Sequence, residues 1–170
     1  SYDDIAACYE SHKVAALLSI EEGGVLGGDL AKLDKAYADG VRLITLTWNY
    51  PNELGYPNRL ASNSSYFPSD GEDDTVHGLT EKGIQFVEEM ERLGIIADVS
   101  HLGDKGILDV ISHAKRPFVA SHSGARAVCR HCRNLTDEMI RGIGEKGGVM
   151  GVNYFTEFLR DKEKFGDPMK

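Results

Sequence analysis

Short apolar runs alternate along the chain with longer stretches in which apolar residues recur every three or four positions. Runs of the first kind read as strands buried on both faces and stretches of the second kind as helices with one apolar stripe. Their alternation predicts βα units around a parallel sheet. Five strands are expected, at Val14–Ile20, Val41–Thr47, Ile95–Ser100, Phe118–Ser121 and Val149–Asn153. The clearest helix spans Thr80–Leu93, where Ile84, Val87, Met90 and Leu93 share a stripe, Thr80 can cap the start and Gly94 follows the end. Further helices are expected over Asp29–Ala38 before Gly40, from Asp104 to Ala114 before Pro117, and over Thr136–Lys146 before Gly147 and Gly148. Residues 48–78 break the rhythm with a run rich in Asn, Ser, Asp, Gly and Pro. A connection that long is functional or disordered. With no linker and no repeat beyond the βα period, one domain over residues 1–170 is expected.

Charge narrows the range of partners. The 27 acidic residues outnumber 19 basic ones, for a formal charge of -8, which argues against nucleic acid or an anionic membrane as the main partner. No apolar run approaches the roughly 20 residues of a membrane span, and the first residues lack a signal-peptide pattern. Cys8, Cys129 and Cys132 are too few and too scattered for a disulfide scaffold, which suggests a reducing, cytoplasmic location. Cys129 and Cys132 form a C-x-x-C, but no second pair completes a structural zinc site.

In parallel β/α folds chemistry gathers where the strands end, because the βα loops and helix N-termini converge there. The first expected strand ends in Glu21-Glu22-Gly23-Gly24, the second in Trp48-Asn49, the third in Asp98-Val99-Ser100-His101 and the fourth in Ser121-His122-Ser123. Imidazole and carboxylate together suit zinc. His101 and His122 lie one βα unit apart, as expected if they hold equivalent places on neighbouring strands. Glu21 and Glu22 cannot both face inward, because neighbours in an extended segment alternate sides. His12, His77, His113 and His131 read as solvated or capping residues. The glycines at 23, 24, 27 and 28 match neither a dinucleotide fingerprint nor a phosphate loop, and Ser100, Ser121 and Ser123 lack a nucleophile-elbow setting.

Taken in order, IEEGG, ITLTWN, ADVSHLGD, SHSGAR and RNLTDE resemble the membrane or renal dipeptidase family of zinc peptidases, across nearly all 170 residues. The resemblance implies part of a (β/α)8 barrel and hydrolysis of dipeptides by a metal-activated water with two zinc ions. It also implies Glu22 as the carboxylate bridging the ions, His101 and His122 as ligands to one of them, Arg133 as partner of the substrate carboxylate, and Tyr154 and Trp48 as substrate contacts. Trp48 stands where animal members of the family carry a substrate-polarising histidine. The family's H-x-D pair from the first strand and its aspartate from the last have no counterpart here. A complete barrel takes roughly 250 residues, so the chain reads as an excerpt that forms a homo-oligomer or associates with the missing barrel segments. Two other readings are a related barrel metallohydrolase acting on another amide or lactone, and a truncated relative without turnover.

Overall fold

A computed structural model of the chain describes residues 1–58 and 77–160. Most of the long 48–78 connection lies outside the described residues. The elements run α1 (Tyr2–Glu10), β1 (Leu18–Glu21), a 3-10 turn (Gly23–Leu26), α2 (Leu30–Ala38), β2 (Val41–Thr45), α3 (Glu81–Leu93), β3 (Ile96–Asp98), α4 (Asp104–His113), β4 (Val119–Ser123), α5 (Asp137–Glu145), β5 (Val149–Val152) and α6 (Thr156–Leu159). The five strands form one sheet in chain order, every pair parallel. That is the winding of a barrel wall, each strand joined to the next by a helix that covers one face.

The helices begin and end for local reasons. Thr80 caps α3 by accepting the Gly83 N–H at 2.9 Å, and Gly94 ends it in the left-handed conformation at φ 87°. Asp29 caps α2 and Thr136 caps α5 in the same way. The buried face of α3 is Phe86, Val87 and Met90, with Ile84 and Leu93 half-buried at its margins. The helix is therefore rotated slightly from the expected stripe to seat Phe86. Leu33, Phe86, Met90, Val110 and Ile143 from the helices meet Ile44, Ala97 and Ala120 from the sheet in one core. Each large side chain buried there contributes about 1.5–3 kcal/mol.

Two expectations need correction. The first strand starts at Leu18, not Val14, because its only partner, β2, begins opposite it at Val41. The outer strands are also not buried on both faces: Leu18 is 54% exposed on β1 and Val149 is 65% exposed on β5. These strands are the two open edges of the sheet. The helix α1 was not expected at all. It is held by a capping box between Ser1 and Asp4 and buries no residue, so no apolar stripe announces it.

Gly83 shows how the long connection is tied down. A Cβ at this position would lie 1.9 Å from the Leu54 carbonyl oxygen, so the first turn of α3 rests directly on the backbone of residue 54. Thr80 N–H donates to that same oxygen at 2.9 Å, and Gly55 bridges to Leu79. The two described ends of the connection are thereby fastened to each other. Residue 57 pairs with Leu102, and the Asn58 N–H donates to the His101 carbonyl at 2.7 Å, which brings the stem to the carboxyl end of the sheet.

Candidate metal centre and active site

At that end of the sheet His101 and His122 face each other, with their Nε2 atoms 3.0 Å apart. His101 follows β3 with φ 72°, a left-handed conformation that a bulky residue adopts only when its surroundings hold it there. The ring is held by Asn49, whose Oδ1 accepts the Nδ1 proton at 2.9 Å and leaves Nε2 unprotonated. His122 sits within β4. Glu21, the last residue of β1, brings Oε1 to 3.7 Å from His101 Nε2 and 3.6 Å from His122 Nε2. Donor atoms of these three residues all lie within 4.8 Å of one another, the only such cluster among the described residues.

Both imidazoles are neutral near pH 7. Burial, reinforced by the nearby Arg133 cation and by His122, holds the His101 pKa down to about 3. Burial and Arg133 lower that of His122 too, against the opposing pull of Asp98 and Glu21. Glu21 is therefore not paired with an imidazolium. A carboxylate and two neutral imidazoles aimed at one point form a donor set that fits zinc or a similar divalent cation.

Glu22, the glutamate expected at this point, is turned elsewhere. Its backbone is left-handed at φ 100°, and its carboxylate accepts from Gly24 N–H at 2.9 Å and Asn52 Nδ2 at 2.6 Å. Asn52 in turn donates to the Leu46 carbonyl and accepts from Leu54 and Gly55 N–H. Glu22 thus ties the end of β1 to the stem of the long connection. Glu21, at the end of β1, is the carboxylate on the histidine side.

Arg133 is 5% exposed, and no carboxylate among the described residues lies within ion-pairing distance of it. Its Nη atoms reach only the His122 carbonyl, at 3.4–3.5 Å, its Nε has no partner, and its guanidinium lies 5.4 Å from the centre of the Phe158 ring. Burial lowers its pKa to about 10, which still leaves it charged at neutral pH. It opens, with Trp48, His101, His122 and Phe158, onto a cavity of about 440 Å³. A buried guanidinium facing a cavity, with no ion-pair partner among the described residues, is suited to an anionic group.

Of the residues expected to form the site, His101, His122, Arg133 and Trp48 come together around this cavity. Tyr154 does not. It is 87% exposed and is not among the lining residues, whereas its neighbours Asn153 and Phe155 are. His131, expected to be solvated or capping, accepts from the Arg133 N–H at 3.1 Å, and it also lines the cavity with its ring 4.5 Å from that of Phe158. His113 keeps a capping role on the Asp109 carbonyl. No disulfide involves any of the three cysteines, and Cys129 Sγ donates instead to the Glu157 carbonyl.

The model of the membrane dipeptidase family, peptidase family M19, matches residues 1–166. The chain belongs to this family. It is 40% identical over 157 residues to an uncharacterized protein in the pqqA 5' region of Klebsiella pneumoniae, covering 92% of this chain and 55% of that protein. It is 35% identical over 158 residues to an uncharacterized dipeptidase of Schizosaccharomyces pombe, covering 93% and 36%. Among solved structures it is similar to a metallopeptidase from Rhodobacter sphaeroides liganded with a phosphinate mimic of the dipeptide L-Ala-D-Ala. There the TM-score is 0.86 and the identity 35%, over 95% of this chain and 44% of that one. The probable dipeptidase PvdM from Pseudomonas aeruginosa matches with TM-score 0.82 and 34% identity, over 94% and 39%. The chain thus spans about half or less of the length of these relatives, from 36% to 55%, and its five-stranded parallel sheet is a portion of their barrel. No helix among the described residues is long and apolar enough to cross a membrane.

Proposed function

We propose that the protein to which these residues belong hydrolyses dipeptides with the help of zinc held by Glu21, His101 and His122. The observation that carries this reading is the convergence of the Glu21 carboxylate and two neutral imidazoles on one point within 4.8 Å. Zinc bound there would make a water acidic enough to act near neutral pH and would polarise the scissile carbonyl. The family resemblance implies two ions, and a second one needs ligands beyond these three residues.

The chain's own residues supply orientation. Arg133 takes the substrate's terminal carboxylate in its planar fork and is why only short peptides with a free end fit. Trp48 and Phe158 flank the cavity and pack against substrate side chains. Asn49 holds the His101 ring. Glu22 keeps the stem of the long connection against the site and binds no ion. The open edges at β1 and β5 are covered by the remaining strands of the barrel.

Zinc analysis and a dipeptide panel test the reading on the full natural polypeptide. Chelation should abolish dipeptide hydrolysis and zinc should restore it. Full activity in a metal-free sample, or cleavage only of lactones or other amides, overturns it. Arg133→Ala should lower kcat/KM about 10–100-fold, mainly through KM, in keeping with the loss of a charge-assisted pair. An unchanged KM removes Arg133 from its role.

A further inference from the structure

Asp98 closes β3 and is completely buried, yet the chemistry above makes no use of it. A carboxylate withdrawn from water is costly unless hydrogen-bond donors meet its charge. Asp98 has four. Oδ1 accepts from the backbone N–H of Ser100 at 3.0 Å and of Ser121 at 2.9 Å. Oδ2 accepts from the hydroxyls of Thr45 at 2.8 Å and Ser121 at 2.5 Å. These groups belong to β2, the end of β3 and β4, so one carboxylate sits beneath the whole histidine platform.

The direction of this network is what matters. A carboxylate can only accept, so the single Ser121 hydroxyl proton is committed to Asp98. On its other side the Ser121 oxygen lies 2.7 Å from His122 Nδ1, and there it can only accept. The His122 ring therefore carries its proton on Nδ1 and a lone pair on Nε2. Asn49 imposes the same state on His101. The 3.0 Å Nε2–Nε2 contact is then a meeting of two lone pairs, repulsive until a cation lies between them.

We propose that Asp98 and Ser121 are a positioning pair. By fixing the direction of one chain of hydrogen bonds they select the Nδ1–H tautomer of His122 and aim its Nε2 lone pair at the point shared with His101 and Glu21. The inference rests on the zinc reading only for what the lone pair is aimed at. The tautomer itself follows from the chain's own hydrogen bonds.

The test is the imidazole ¹⁵N spectrum of His122 in the full natural polypeptide without metal, together with zinc titration. The unaltered protein should show the Nδ1–H form. Ser121→Ala removes the acceptor, and His122 should shift to Nε2–H, donating to His101, with zinc affinity about 10–100-fold weaker. Asp98→Asn should act in the same direction, because the introduced amide donates where the carboxylate accepted. Ser121→Thr keeps a hydroxyl and should restore both tautomer and affinity, which a merely structural role would not require. An Nδ1–H tautomer that survives Ser121→Ala in a protein that binds zinc overturns the positioning pair and leaves the zinc reading intact. Tautomers that respond as expected in a protein that takes up no zinc support the pair and overturn the zinc reading.

Discussion

The two ends of the sheet are built on different terms. At the amino end, where the strands begin, Val41, Ile95 and Phe118 are buried among apolar neighbours, and Gly148 lies so close to the Phe118 carbonyl that a Cβ there would approach it to 2.1 Å. At the carboxyl end the buried residues include Glu22, Asp98, Ser100, His101 and Arg133, and two of these, Glu22 and His101, have left-handed backbones. The first end is arranged for stability. The second holds polar groups and backbone strain that a stability-driven fold avoids, so its stability is supplied elsewhere and its cost is borne for chemistry.

Substitutions at each end should separate the two roles. Phe118→Ala should cost about 3–5 kcal/mol of folding stability, measured by denaturant unfolding, while the protein that remains folded keeps its kcat. A fall in kcat at full folding would erase the division. At the other end, Glu21→Ala should reduce dipeptide hydrolysis on the order of 10²–10³-fold, about 3–4 kcal/mol of barrier, and lower zinc content, with little change in unfolding midpoint. Next in size is the wall between them. Gly83→Ala forces a methyl onto the Leu54 carbonyl and should cost about 1–3 kcal/mol, or roughly 2–4 °C in Tm for each kcal/mol in a chain of this size. An unchanged Tm would show that α3 does not bear on the stem. The smallest effect is expected from Glu22→Gln. The amide keeps an oxygen for Gly24 N–H and Asn52, so zinc content should be unaltered and activity should fall no more than about threefold, under 1 kcal/mol. Loss of zinc in this variant, with Glu21→Ala unaffected, would exchange the roles of the two glutamates.

The βα rhythm was legible because the central strands and four of the six helices among the described residues carry an apolar face into one core, and that face is what periodicity detects. Helix α1 buries nothing, and the short α6 also has no buried residue, so both lay outside that signal. His101 and His122 could be found from their places at successive strand ends. The choice between Glu21 and Glu22 could not, because alternation requires that only one face inward without saying which. In the structure Glu21 faces the histidines, and the positive φ at Glu22 goes with its ties to Gly24 and Asn52. Tyr154 lies past the end of β5, where strand alternation no longer tells which of three neighbouring residues meets the cavity. Asp98 is named at the third strand end without a role of its own, although an acid in an apolar run is itself a sign that donors wait around it.

The stem of the long connection is fixed at both ends, at Asn52–Gly55 by side-chain and backbone bonds and at Leu79–Thr80 by the bridge and the contact with α3. Asn49, which holds the His101 ring, and Asn58, whose N–H meets the His101 carbonyl, belong to this anchored frame. Backbone bonds from residues 56–58 to Leu102, Gly103 and the His101 carbonyl extend the same frame to the strand end that carries the histidine. Loosening either clamp therefore gives slack to the loop that holds His101, as one loose stay does to a mast.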